Sequence, residues 1–189
     1  MDALALIRAG LEESAELHRR VAAERAEVVV RAAEVMKDAL VAGRHVLVFG
    51  NGGSATDAQH FAAELVGRFE RERRPVAAIA LTTDTAILTA IANDYGYEAV
   101  FARQVDALGR MGDVAMAIST SGTSKNVNLA LERARAKGLV TIGLTGKDGG
   151  ETGRLAHVHV NVPGRTTART QEVHRTLLHV MCELIEAGL

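Results

Sequence analysis

Asn51-Gly52-Gly53-Ser54-Ala55-Thr56-Asp57-Ala58-Gln59-His60-Phe61-Ala62-Ala63-Glu64 follows directly on the apolar run His45-Val46-Leu47-Val48-Phe49-Gly50. The apolar run reads as a buried parallel strand, the glycines as the turn that ends it, and a helix begins at about Ser54. Consecutive glycines let the backbone curl so that several N–H groups converge, and the helix N-terminus adds its partial positive charge. Such a corner holds an anion, most often a phosphate. One turn further on, His60 and Glu64 stand four apart and project from the same helix face. That pair alone is common on solvated helices; behind a phosphate cradle it has the layout of a catalytic site.

The same alternation continues outward from this stretch. Val76–Leu81, Val114–Ile118, Val140–Leu144 and Val158–Val162 read as four more strands, with helices over 85–92, about 126–137 (stopped by Gly138) and about 168–187. Short apolar strands alternating with helices imply an α/β fold, a parallel five-stranded sheet flanked by helices. Ligands in such sheets bind at the carboxyl ends of the strands. Ahead of the sheet, Leu11 to Ala42 contains no glycine or proline, and Leu4, Ile7, Leu11, Leu17, Val21, Val28, Ala32, Val35 and Ala39 mark one apolar stripe. A helix of this length spans about 60 Å. Either it bends or it packs against another subunit. Residues 1–42 are therefore read as a helical oligomerisation segment and 43–189 as the sheet-bearing part of a single domain.

Composition limits the function. The 189 residues are 48% hydrophobic and 24% charged, ordinary for a soluble globular chain, and the net charge of −1 gives no electrostatic case for nucleic acid or a membrane surface. No apolar run is long enough to span a bilayer, and no signal-peptide pattern opens the chain. The single cysteine, Cys182, rules out an internal disulfide, fits a reducing cytoplasm and reads as a small core residue.

Ser119-Thr120-Ser121-Gly122-Thr123-Ser124 leaves the third strand as a second anion candidate. A hydroxyl-rich loop is often only a helix cap. At the same sheet edge as the glycine loop, it gains weight as a ligand site. The chain has no Walker lysine motif and no GxGxxG with an acidic partner about 20 residues on. A small phosphorylated ligand is favoured over a nucleotide.

Gly50-Asn51-Gly52-Gly53-Ser54, Ser119-Thr120-Ser121-Gly122 and Gln171-Glu172-Val173-His174 resemble the sugar isomerase (SIS) domain. With Asp57–Glu64, Asn93-Asp94, Leu144–Gly150 and His179, the chain more narrowly resembles the phosphoheptose isomerases. That resemblance covers nearly the whole chain. It implies a homotetramer with sites at subunit interfaces, each holding one Zn2+ per subunit on His60, Glu64, Gln171 and His179. It places substrate contacts on Asn51, Gly52, Gly53, Glu64, Asn93, Asp94, Ser119, Thr120, Ser121, Ser124 and Gln171, and the acid and base on Glu64 and His179. The implied reaction converts sedoheptulose 7-phosphate to D-glycero-D-manno-heptose 7-phosphate, the first step of nucleotide-activated heptose synthesis.

Two positions depart from the family pattern. Thr123 replaces a common Asn but keeps a hydroxyl. Ala168 stands where some relatives carry an acidic residue associated with ring opening. On spacing alone, Gln171 and His179 are about 12 Å and about 80° apart on a helix, whereas Glu172 lies within about 20° of His179. The resemblance favours Gln171, and geometry favours Glu172. Gln171 sits at the first turn, or Gln171 and His179 come from different subunits.

The remaining histidines, His18, His45, His157 and His159, read as structural, with His174 a candidate partner to the site. Arg68–Arg74 reads as a solvated loop. The rival function is a non-catalytic tetrameric SIS binding protein associating with a replication initiator; a third option is isomerisation of another sugar phosphate. A binding protein has no need of the His60, Glu64, Gln171 and His179 set.

Overall fold

The computed structural model describes residues 2–189. Its strands are β1 (Val46–Gly50), β2 (Ala78–Ala80), β3 (Val114–Ser119), β4 (Val140–Gly146) and β5 (Val158–Val162). All pair in parallel, in the order β2-β1-β3-β4-β5. The helices are α1 (Ala3–Val41), α2 (Gly53–Val66), α3 (Thr85–Tyr95), α4 (Ala102–Leu108), α5 (Lys125–Ala136), α6 (Gly150–Leu155) and α7 (Thr167–Glu186), with a 3₁₀ turn at Tyr97–Ala99.

Both faces of the sheet are covered, which is why its central strands are continuously apolar rather than alternating. Val46, Val48, Met116, Ile118, Ile142 and Leu144 pack under α1, α2 and α7. Leu47, Phe49, Ala115 and Ala117 pack under α4 and α5. At the edge, β5 does alternate: Val158, Val160 and Val162 are buried while His159 and Asn161 are half-buried. The chain runs from β1 outward to β2, then returns to place β3 on the other side of β1. The loops leaving β1 and β3 therefore flank the point where the winding reverses, the place where ligands enter such sheets.

Several expectations shift in detail. β2 is shorter than 76–81; as an edge strand it has only β1 to pair with, and its ladder covers Ala78–Ala80. The 3₁₀ turn, α4 and α6 were absent from the sequence reading because they are too short to show a period. α1 is one uninterrupted helix of 39 residues. Beyond Val21 its buried residues are Val29, Ala32, Ala33, Met36 and Leu40; of the expected stripe Ala32 is fully buried, while Val28, Val35 and Ala39 are only partly buried, one residue off the line. A seven-residue repeat drifts about 20° per heptad on a straight helix, so the line migrates along its length. At its start, Leu4, Leu6, Ile7 and Leu11 are 57–68% exposed.

The Arg68–Arg74 segment is not simply solvated. Glu186, near the end of α7, accepts N–H bonds from Phe69, Glu70 and Arg71 and pairs with the buried Arg73 at 3.1 Å. Burial raises the Glu186 carboxyl, but these donors and the guanidinium outweigh it and leave its pKa lowered.

Candidate active site

The glycine loop is shaped as the sequence requires. Gly52 sits at φ +56°, a conformation an L side chain resists, and caps α2 with no side chain. Among the described residues, nothing accepts a hydrogen bond from the Gly52 or Gly53 N–H. Those donors, at a helix N-terminus, are free for an anion.

The serine loop does not serve as a side-chain cap for the helix that follows it. Ser124 occupies the N-cap of α5, yet its side chain caps no N–H. Its hydroxyl lies 3.4 Å from that of Ser119, which accepts the Gly122 N–H. Ser121 Oγ accepts from both the N–H and the hydroxyl of Thr123, so its own hydrogen remains to be donated. Gly122, at φ +68°, lies so close to Gly149 that a Cβ would collide with the Gly149 carbonyl. The loop is thus held against the start of α6, where Thr152 N–H bonds the Gly122 carbonyl at 2.9 Å.

The acid/base candidates come together across α2 and α7. His60 Nε2 and His179 Nε2 lie 2.6 Å apart, one ring carrying the hydrogen between them, and Glu64 Oε1 is 3.7 Å from His60 Nε2. Phe69 packs against the His179 ring at 5.5 Å, a contact supplied by the loop anchored on Glu186. Two imidazole nitrogens and a carboxylate are the donor types zinc takes, so the chemistry of the set fits such an ion. As they stand, no three His, Cys, Asp or Glu side chains among the described residues form a metal-holding group. Ligand nitrogens on a tetrahedral ion lie about 3.3 Å apart, given bonds of about 2.0 Å. The two rings are therefore closer than a bound ion allows and must part slightly to admit one.

Gln171, one turn into α7, reaches back to the glycine loop. A Cβ on Gly53 would collide with its amide nitrogen, so the absence of a side chain at 53 makes room for Gln171. Glu172 is turned toward Arg169, whose Nη1 lies 3.0 Å from its Oε2. Spacing had favoured Glu172 over Gln171; the tertiary contacts put Gln171 on the glycine loop. A cavity of about 610 Å3 lies here, lined by Gly53, Gln171 and His179 of one chain, together with His18, Asp57 and Arg175.

Three of those lining residues, Asp57, Arg175 and His18, were not among the site residues read from sequence. Asp57 is buried and held by Arg175 through Nε and Nη2, at 3.1 and 2.6 Å. The available signal was spacing: Arg175 stands four residues from both Gln171 and His179. His18, read as structural, lines the cavity with Nδ1 on the Ser14 carbonyl and Nε2 on the Thr176 hydroxyl. His174 is fully buried, and its Nε2–H donates to the Thr145 carbonyl at 2.9 Å, tying α7 to β4 rather than to any candidate ligand. Burial pushes its pKa down to about 4.

Asn93 and Asp94 stand apart from the histidines. They bond each other at 2.7 Å on α3, a helix with no buried residue. Cys182 is a core residue, as its apolar surroundings suggested. Burial, then the nearby Glu64 carboxylate, pushes its thiol up to about 12 and keeps it protonated.

Comparison with known proteins places the chain in a family. Residues 11–146 match the SIS domain family. The chain is 52% identical to the phosphoheptose isomerase of Geobacter sulfurreducens, over 100% of its own length and 97% of the relative's. It is 55% identical to that of Aquifex aeolicus, covering 92% and 91% of the two chains. The solved phosphoheptose isomerase GmhA of Neisseria gonorrhoeae superposes with a TM-score of 0.92 at 45% identity, covering 97% of this chain and 98% of that one. The phosphoheptose isomerase of Francisella tularensis superposes with a TM-score of 0.95 at 38% identity, covering 99% and 100%. A sheet wound to put a glycine loop and a serine loop at one edge, and relatives this similar end to end, lead to one conclusion: the chain is an isomerase of the SIS domain family and belongs to the phosphoheptose isomerases.

Proposed function

We propose that this chain interconverts sedoheptulose 7-phosphate and D-glycero-D-manno-heptose 7-phosphate, opening a route to nucleotide-activated heptoses, as a zinc-dependent homotetramer in the cytoplasm. The observation that carries the reading is the convergence of His60, Glu64 and His179 beside a cavity that also meets the glycine loop. The free N–H groups of Gly52 and Gly53 and the hydroxyls of Ser121 and Ser124, which cap no helix N–H, suit the phosphate, whose binding energy orients the distant reacting carbons. Glu64 takes a proton from C1 of the ketose and returns one to C2. His179 donates a proton to the C2 oxygen and accepts the one leaving O1. His60, Glu64, Gln171 and His179 are the residues to hold zinc, which when bound acts as a Lewis acid on the sugar oxygens.

The exposed Leu4, Leu6, Ile7 and Leu11 support assembly, because a contiguous apolar helix face gains by being covered. No described helix is long and apolar enough to cross a membrane. The buried reduced Cys182 fits the cytoplasm.

The test is turnover of sedoheptulose 7-phosphate in deuterated water, beside a panel of other phosphorylated ketoses. Deuterium at product C2, and a loss of about 100-fold or more in Glu64→Gln, support the reading. Turnover of another ketose alone would change the substrate. Full activity in Glu64→Gln with no solvent exchange would replace proton transfer by a hydride shift.

A further inference from the structure

Asn51 is the meeting point of three segments. Its Oδ1 accepts from the Tyr97 hydroxyl at 3.0 Å and from Asn126 Nδ2 at 2.9 Å, while its Nδ2 donates to Asn126 Oδ1 at 2.9 Å. Asn126 Oδ1 also accepts the Val127 N–H at 3.0 Å. That last bond orients the pair: a backbone N–H needs an oxygen, so Asn126 turns Oδ1 inward and Asn51 must present Nδ2 to it. Both lone pairs of Asn51 Oδ1 are then used. One hydrogen on its Nδ2 remains, so a ligand meets the Asn51 side chain only as an acceptor.

The three segments joined this way are the glycine loop, the helix that follows the serine loop, and the turn after Asn93 and Asp94. We propose that Asn126 and Tyr97 are positioning residues: by fixing Asn51 they set the spacing of the two anion-holding loops and tie the Asn93–Asp94 helix to them. The proposal rests on the sugar-phosphate reading above. Tyr97 is 59% exposed, so its hydroxyl gains little stability by exchanging water for Asn51. α3 rests on the core only through the partly buried Leu88, Ile91 and Ala92, and the exposed Glu98–Lys125 pair at 3.0 Å also links the turn to α5. The consequence of these bonds therefore falls on loop placement more than on folding.

Asn126→Asp keeps the acceptor for Val127 N–H but sets an oxygen against Asn51 Oδ1; Tyr97→Phe removes one hydroxyl. In Asn126→Asp, KM for sedoheptulose 7-phosphate and Kd for inorganic phosphate should both rise about tenfold or more, with kcat within about threefold. Tyr97→Phe should raise both about threefold alone and add little in the Asn126→Asp background, since both act through Asn51. Unchanged KM and phosphate Kd in folded Asn126→Asp would overturn the proposal, as would a fall in kcat alone. If wild type turns over no heptose but Asn126→Asp still weakens phosphate binding, the positioning stands and the substrate reading fails.

Discussion

His60 and His179, on different helices, turn their Nε2 atoms toward each other at 2.6 Å. Two ring nitrogens this close share one hydrogen, and a cation between them would replace it and relieve the crowding. The expected result is uptake of one zinc ion per chain by the metal-free protein, with about two protons or fewer released near neutral pH. His179→Ala should lose that uptake in a direct metal titration while the circular dichroism stays unchanged. Retention of wild-type zinc affinity in His179→Ala would move the metal elsewhere.

The Asp57–Arg175 pair is unequal, because the carboxylate is 3% exposed and the guanidinium 51%. Removing Arg175 strands a buried charge, whereas removing Asp57 leaves a charge that water can reach. Arg175→Ala should therefore cost about 3 kcal/mol or more, and Asp57→Ala clearly less. Denaturant unfolding of the two variants measures the difference. Equal losses would mean that packing, rather than charge, dominates the contact.

His174 should make stability fall with acid. Its folded pKa, about 4, lies below the unfolded value, so the unfolded chain binds a proton first. Stability is full above the ordinary histidine pKa of about 6.5 and declines toward pH 4, by up to about 3 kcal/mol. In His174→Gln that slope should flatten. Parallel pH profiles for the two proteins would assign the acid sensitivity to other groups.

Ser121 and Ser124 face the free end of α5 with hydroxyl hydrogens not committed to capping. Replacing both by Ala should weaken substrate binding at least tenfold, at about 1.5–3 kcal/mol for each bond to a charged group. Thermal stability should hold, because no cap is lost. Unchanged affinity for sedoheptulose 7-phosphate would place the phosphate elsewhere.

The order of strands and helices, the glycine and serine loops at the sheet edge and the shared helix face of His60 and Glu64 could be read from the chain because each depends on local pattern. A glycine turn between an apolar strand and a helix has few other uses, and residues four apart share a helix face whatever surrounds them. The partners of those residues depend on how distant helices dock, and that is decided only in three dimensions. Spacing along α7 made Glu172 the better match for His179, yet α2 lies where Gly53 admits Gln171 while Arg169 takes Glu172. His18 had no side-chain partner until α1 packed along α7 and brought Thr176 to it, and Arg73 looked solvated until Glu186 came over it. Asn51 was expected to contact substrate; its side chain also bonds Asn126, 75 residues away, and keeps one Nδ2 hydrogen free. Local sequence sets which groups can do the chemistry; the docking of α1, α2 and α7 on one face of the sheet decides which of them meet, because side chains reach only a few ångströms beyond their helix.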